Sequence, residues 1–179
     1  MEKRGAYAIR ISGLGDGEHD FLFELNESFF KAFEHPDIRD GVLDANVILD
    51  KKSGVLTLRL LVNGEVEVAC DRCLDYFMTT ITVEEKMFVR TGDTSEESPE
   101  NVIIIDKEDH EIGIGQYLYE FIVLALPYKR VHPEDSEGNL TCNSEMLKKL
   151  EEHIVKNRDR NDQTDPRWNA LKDIIDKKN

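Results

Sequence analysis

Leu56-Thr57-Leu58-Arg59-Leu60-Leu61-Val62-Asn63-Gly64-Glu65-Val66-Glu67-Val68-Ala69-Cys70 is the stretch whose reading decides the fold. Leu56, Leu58, Leu60 and Val62 recur with period two, which marks a strand with one buried face. Leu43, Ala45, Val47 and Leu49 repeat the pattern ahead of the turn Lys51-Lys52-Ser53-Gly54. Asn63-Gly64 is a strong short-range hairpin signal, but a two-residue turn would set Glu65 opposite Val62 and Glu67 opposite Leu60, on the core face. A three-residue loop, Val62-Asn63-Gly64 with Gly64 in the left-handed region, sets Val66 opposite Leu60 and Val68 opposite Leu58. The sequence therefore predicts a bulged hairpin here. Cys70 then shares a side with Val66 and Val68, and a further strand from Phe77 to Val89 sends Phe77, Ile81, Val83, Met87 and Val89 to one face.

Outward toward the N-terminus, Tyr7 to Ile11 and Asp20 to Leu25 read as two strands joined across the turn Gly13-Leu14-Gly15-Asp16-Gly17. Asn26 is placed to cap a short helix carrying Phe29, Phe30 and Phe33, which His35-Pro36 ends. In the other direction, residues 91–100 have almost nothing to bury and predict a loop. Val102 to Ile105 is an apolar strand, and Ile114, Tyr117, Leu118, Phe121, Ile122 and Ala125 mark a buried helix from Glu111 to Leu126, stopped by Pro127. Every connection as far as the Phe77-to-Val89 strand is short, so the sheet is expected to be antiparallel. The fold class is α+β: a strongly twisted antiparallel sheet curling toward a partial barrel, with one buried helix and a helical C-terminal tail. Residues 1–128 form the sheet domain; residues 129–179 form an irregular loop and a tail. In that tail Met146, Leu147, Leu150 and Ile154 have helical spacing, and Asp165-Pro166 opens a second helix with Trp168, Leu171, Ile174 and Ile175 as its stripe.

The 179 residues carry a formal net charge of −14. Residues 1–144 hold 14 Lys+Arg against 29 Asp+Glu, and residues 145–179 hold 9 against 8, so the body is acidic and the tail nearly neutral. Phosphate binding draws on Lys and Arg, which makes the body a poor platform for nucleic acid and a better match for a basic protein. The N-terminus lacks a signal peptide and no run reaches a membrane span, so a cytoplasmic location is expected. Neither a phosphate loop nor a dinucleotide fingerprint occurs. Direct RNA contact would fall to Arg72, Lys129, Arg130, Lys156, Arg158 and Arg160, which acidic neighbours such as Asp71, Asp159 and Asp162 are placed to neutralise.

Two of the three cysteines form Cys70-Asp71-Arg72-Cys73 between strand-like runs. A Cys-x-x-Cys step there holds a metal, performs thiol exchange, or folds a corner. Thiol exchange is disfavoured because a reactive pair opens a helix, whose amides lower the first thiol's pKa, and because Asp71 opposes any help from Arg72. The acidic cluster around His110, from Asp106 to Glu111, reads as a solvated loop, and His19, His35 and His153 read as surface histidines.

Cys70-Asp71-Arg72-Cys73-Leu74 after an Asn-Gly step, the segment Glu120 to Pro127 ending in Leu124-Ala125-Leu126-Pro127, and Asp165-Pro166-Arg167-Trp168 with Ala170-Leu171 resemble, in this order, the YceD family of large ribosomal RNA subunit accumulation proteins. The resemblance implies a non-enzymatic bacterial or organellar factor for processing and accumulation of large-subunit ribosomal RNA. It implies a large-subunit ribosomal protein or precursor ribosomal RNA as partner. Many relatives carry four further cysteines where this chain reads His132 to Cys142, so only His132 and Cys142 remain as soft donors there. Together with Cys70 and Cys73 they make a Cys₃His set, a candidate zinc site of an adaptor module. The enzymatic alternative is a thiol oxidoreductase using Cys70 and Cys73. Asp71 and Arg72, at the tip of the Cys-x-x-Cys corner, are the expected partner contacts.

Overall fold

The computed structural model describes residues 7–33, 38–52, 55–92 and 101–153. The chain divides into two compact units, Met1–Asn143 and Ser144–Asn179. In the first, the strands are β1 (Ala8–Arg10), β2 (Gly17–Leu25), β3 (Ile38–Lys52), β4 (Val55–Ala69), β5 (Tyr76–Thr91), β6 (Val102–Ile105) and β7 (Glu111–Gly113). Two helices accompany them, α1 (Glu27–Phe30) and α2 (Gly115–Leu124). In the second unit, α3 (Ser144–His153) carries Met146, Leu147 and Leu150; Ile154 and the Asp165-Pro166 helix lie outside the described residues.

Five strands form one open sheet in the order β2-β3-β4-β5-β6, with β2 and β6 at its edges. The period-two runs behave as their spacing dictates: Leu43, Ala45, Val47, Leu49, Leu58, Leu60 and Val62 are all buried on one face. Asn63-Gly64 makes no hairpin. β4 runs through it without reversal, pairing Asn63 with Asp44 and Thr82, and Gly64 with Leu43 and Ile81. Val66 accordingly lies opposite Gly41 and Thr79, not Leu60. Glu65 and Glu67 leave the core because a continuous strand puts every odd position of β4 on the outer face. Gly64 is required for a different reason from the one a turn supplies: at φ +154°, a Cβ there would meet the Val42 carbonyl oxygen at 2.3 Å and Leu43 Cα at 2.6 Å.

Two further expectations are corrected. β5 and β6 are parallel, with Phe88 beside Val102 and Thr91 beside Ile105, so the sheet is antiparallel everywhere except at this edge. β1 pairs with β7, not with β2, in a separate two-stranded sheet that sets Ile9 against Ile112. The predicted Glu111-to-Leu126 helix is thereby shortened at its start, since residues 111–113 serve this ribbon and α2 begins only at Gly115.

The helices cover the inner face. Asn26 caps α1 by accepting a hydrogen bond from the Ser28 amide at 3.0 Å. Phe29 is fully buried, edge-on to Tyr7, Phe30 and Phe33, and Phe33 stacks on Tyr119 of α2 at 4.3 Å. Leu118 and Ile122 of α2 are fully buried, each contributing on the order of 2 kcal/mol. α1 packs on β3 and β2 and α2 on β5 and β4, so the corner joining β4 to β5 sits at the end of a central pair held between β3 and β6.

Candidate metal centre

Cys70 follows the last residue of β4, and Cys73 lies three residues before β5 begins. Between them the chain makes one tight turn: the Leu74 amide donates to the Cys70 carbonyl at 2.9 Å, and the Cys70 amide to the Asp75 carbonyl at 2.9 Å. The Arg72 amide points at Cys70 Sγ, 3.4 Å away. Leu74 leaves the turn at φ +64°, a left-handed conformation that a glycine would adopt without strain.

His132 and Cys142 come from one loop, and nine intervening residues would not bring them together unaided. A turn centred on Asp135 does it. The Asp135 carboxylate accepts from the amides of Glu137 and Asn139 at 2.9 and 2.8 Å, which holds it below the usual carboxylate range, led by its bonds from Asn139. The Asp135 amide returns a bond to the Asn139 carbonyl, Glu134 bridges Leu140, and Thr141 donates to the Pro133 carbonyl at 2.6 Å. The loop is a small hairpin with its two donor residues at its feet.

Asp71 fastens that hairpin to the corner. Its amide donates to the Arg130 carbonyl at 2.7 Å, its carboxylate accepts from the Arg130 amide at 2.7 Å, and the Arg130 guanidinium lies 3.6 Å away. Asn143 donates to the Asp75 carboxylate on the other side at 3.0 Å. The His132 ring packs against Phe77 with centroids 4.8 Å apart, which turns Nδ1 inward.

These contacts bring the four donors together. Cys70 Sγ lies 3.8 Å from Cys142 Sγ, and His132 Nδ1 lies 3.5 Å from Cys73 Sγ and 3.8 Å from Cys142 Sγ. All four donor atoms are within 4.8 Å of one another, close enough to hold one metal ion. The three cysteines are unlinked and buried. Burial pushes the Cys70 thiol up, but the amides of Cys73, Arg72 and His132 and the His132 ring outweigh it and bring the pKa down to about 6. Cys142 moves the other way, raised by burial and then by the neighbouring Cys70 and Cys73 sulfurs. The opposite shifts share one cause, since an anionic Cys70 sulfur makes it harder to ionise the Cys142 thiol beside it.

The remaining candidates separate. Arg72 is half-buried beside the centre, and the Asp71 side chain is 40% exposed despite its bonds to Arg130. The Asp106–Asp109 segment folds on itself, its carboxylates accepting from the amides of Glu108 and Asp106. His19 Nε2 donates to the Gly15 carbonyl at 3.0 Å, and His110 and His153 are exposed. His35, Lys156, Arg158 and Arg160 lie outside the described residues. Sequence reasoning did not find the supporting role of Arg130 or Asp135; the run Asp135-Ser136-Glu137-Gly138-Asn139 was the available signal for the turn.

No described helix is long and apolar enough to cross a membrane. No curated protein and no solved structure matches the chain. Residues 58–175 match the family model described as large ribosomal RNA subunit accumulation protein YceD, a span that begins within β4 and contains all four donors. The match covers well over half of the chain, which therefore belongs to the YceD family.

Proposed function

We propose that this chain is a non-enzymatic factor supporting large-subunit ribosomal RNA accumulation and ribosome assembly, and that Cys70, Cys73, His132 and Cys142 hold a structural zinc ion in it. The observation that carries the metal reading is the spacing of the donors. Zinc–sulfur bonds of about 2.3 Å and zinc–nitrogen bonds of about 2.0–2.1 Å in a tetrahedron give sulfur–sulfur edges of about 3.8 Å and sulfur–nitrogen edges of about 3.6 Å. Three of the six donor separations, 3.8, 3.5 and 3.8 Å, lie within about 0.2 Å of those edges, and all six are within 4.8 Å. Four protein donors complete the shell and leave no position for water or substrate, which is the pattern of a structural centre. A bound zinc would cross-link the corner after β4 to the His132–Cys142 hairpin.

The family supports the assembly role, and the acidic composition supports a large-subunit ribosomal protein over precursor RNA as the direct contact. Asp71 and Arg72, beside the centre, are proposed to meet that partner, and Asp71 would do so while held by Arg130. Thiol exchange has one observation in its favour, the lowered Cys70 pKa, but Cys70 is 0% exposed and closed to a disulfide substrate.

The test is to isolate the protein from its native lysate at low salt, measure zinc in the same sample, and identify co-purifying protein and RNA. One zinc per chain, lost in Cys142→Ser, together with enriched large-subunit material, is expected. Metal-free protein with freely oxidisable thiols and no ribosomal material would overturn both parts.

A further inference from the structure

The inner face of the five-stranded sheet is covered by α1 and α2, whereas the outer face carries large apolar side chains in the open: Leu22 is 79% exposed and Val42 74%. Around them the same face is strongly acidic. Strand register places Glu24 directly opposite Asp44, and Glu18 directly opposite Asp50. Like charges facing each other across a strand pair destabilise a sheet, so two such pairs on one face call for an explanation. The second pair is answered within the chain, because Arg59 reaches Glu18 at 3.0 Å and Lys52 reaches Asp50 at 2.7 Å. Among the described residues no cation answers Glu24 and Asp44. Those two carboxylates, with Leu22, Phe23 and Tyr7, line an open concavity at the β2 edge.

We propose that the outer face binds a basic segment of a partner polypeptide, with a lysine or arginine set between Glu24 and Asp44 and its aliphatic stem lying on Leu22. Among the described residues nothing neutralises this pair, and the charge of the site fixes the chemistry of the occupant: it must bring a cation. RNA would bring phosphates against the carboxylates, and a second copy of this chain would bring the same acidic face against itself, each at a separation well inside the ~8 Å screening length of physiological salt. A basic peptide gains on every count: the charges pair, and the exposed leucine and valine receive the stems of long cationic side chains. This inference rests on reading the chain as a binding factor and narrows its partner to protein; it is independent of the metal centre.

The experiment uses the full-length zinc-supplemented protein and fluorescence anisotropy with a labelled short peptide alternating arginine with threonine, run in parallel with a labelled single-stranded RNA. Glu24→Gln/Asp44→Asn should weaken peptide binding by about tenfold, the loss of two to three exposed charge contacts. Glu108→Gln/Glu134→Gln, which changes net charge equally but lies off the sheet, should weaken it less than about twofold. Leu22→Ser tests the apolar part and should also lower affinity; every substituted side chain is exposed, so thermal unfolding should fall in none of the three variants and rise slightly in Glu24→Gln/Asp44→Asn, which removes the facing like charges. Equal losses in the two charge variants, unchanged affinity in Glu24→Gln/Asp44→Asn, or tighter binding of the RNA than of the peptide would each overturn the proposal. Metal content is read separately, so a failed zinc assignment leaves this result interpretable.

Discussion

Substituting Gly64 by alanine tests whether β4 passes straight through Asn63-Gly64. The added Cβ would sit 2.3 Å from the Val42 carbonyl oxygen, 2.6 Å from Leu43 Cα and 2.9 Å from Leu43 Cβ. Backbone atoms of a central strand cannot rotate away, so β3 would have to shift and lengthen its ladder with β4. Over-packing of this kind costs about 1–3 kcal/mol. Alanine must also adopt φ +154°, for about 1–3 kcal/mol more. The sum, about 2–6 kcal/mol, is a large share of the ~5–15 kcal/mol that holds a domain folded. Gly138→Ala is the reference. Its φ is +80° but nothing lies within 4 Å, so it isolates the conformational part, about 1–2 kcal/mol. Both substitutions stiffen the unfolded chain alike, and that effect cancels in the comparison. Urea unfolding followed by circular dichroism, with zinc present throughout, should place Gly64→Ala below Gly138→Ala by at least about 1 kcal/mol, and Gly64→Asn lower still. Equal destabilisation, or tolerance of asparagine as a hairpin position would allow, would refute the continuous strand.

Two further outcomes concern the corner itself. Leu74 holds a left-handed conformation while 65% exposed, so Leu74→Gly should raise stability by about 0.5–1 kcal/mol in the same urea assay; a loss would show that the leucine side chain packs on something that outweighs its strain. In metal-free protein the Cys70 thiol, lowered from 9.0 to about 6, is ionised when folded and protonated when unfolded between those values, so stability should rise from pH 6 toward pH 9 and be lost as pH falls through 6. Cys142, raised above its ordinary value, acts only as pH climbs past 9 and in the opposite sense. A urea midpoint that is flat or falling between pH 6 and 9 would contradict the amide bonding described for Cys70.

Much of this architecture is legible in residue order, and the misreadings have physical causes. Leu58, Leu60, Val62, Val66 and Val68 all occupy even positions, with Gly64 in the gap, so the period itself continues through the glycine. Asn63-Gly64 suggested a reversal because local turn chemistry is the strongest short-range signal, yet the pairing with β3 and β5 on both sides decides. The β1–β7 ribbon joins Ile9 to Ile112, and no local pattern announces a partner that far away. The parallel β5–β6 edge was hidden because the short connections among the preceding strands were extended to it, although ten residues separate Thr91 from Val102, close to the length a parallel crossover needs. The four donors could be chosen by element type alone, since His132 and Cys142 are the soft donors left in their stretch. That they meet depends on the Asp135 turn and the Asp71–Arg130 clamp, both assembled from backbone amides that sequence does not display.

Cys70 and Cys142 are 72 positions apart, and Cys73 and His132 are 59. During synthesis at about 5–20 residues per second, the second half of the donor set leaves the ribosome roughly 3–14 s after the first. β2 to β5 are already synthesised when it arrives, so the centre can close only after the four longest strands of the sheet exist. A chain stalled before Cys142 would therefore hold Cys70 and Cys73 without the later donors that lie beside them in the finished protein.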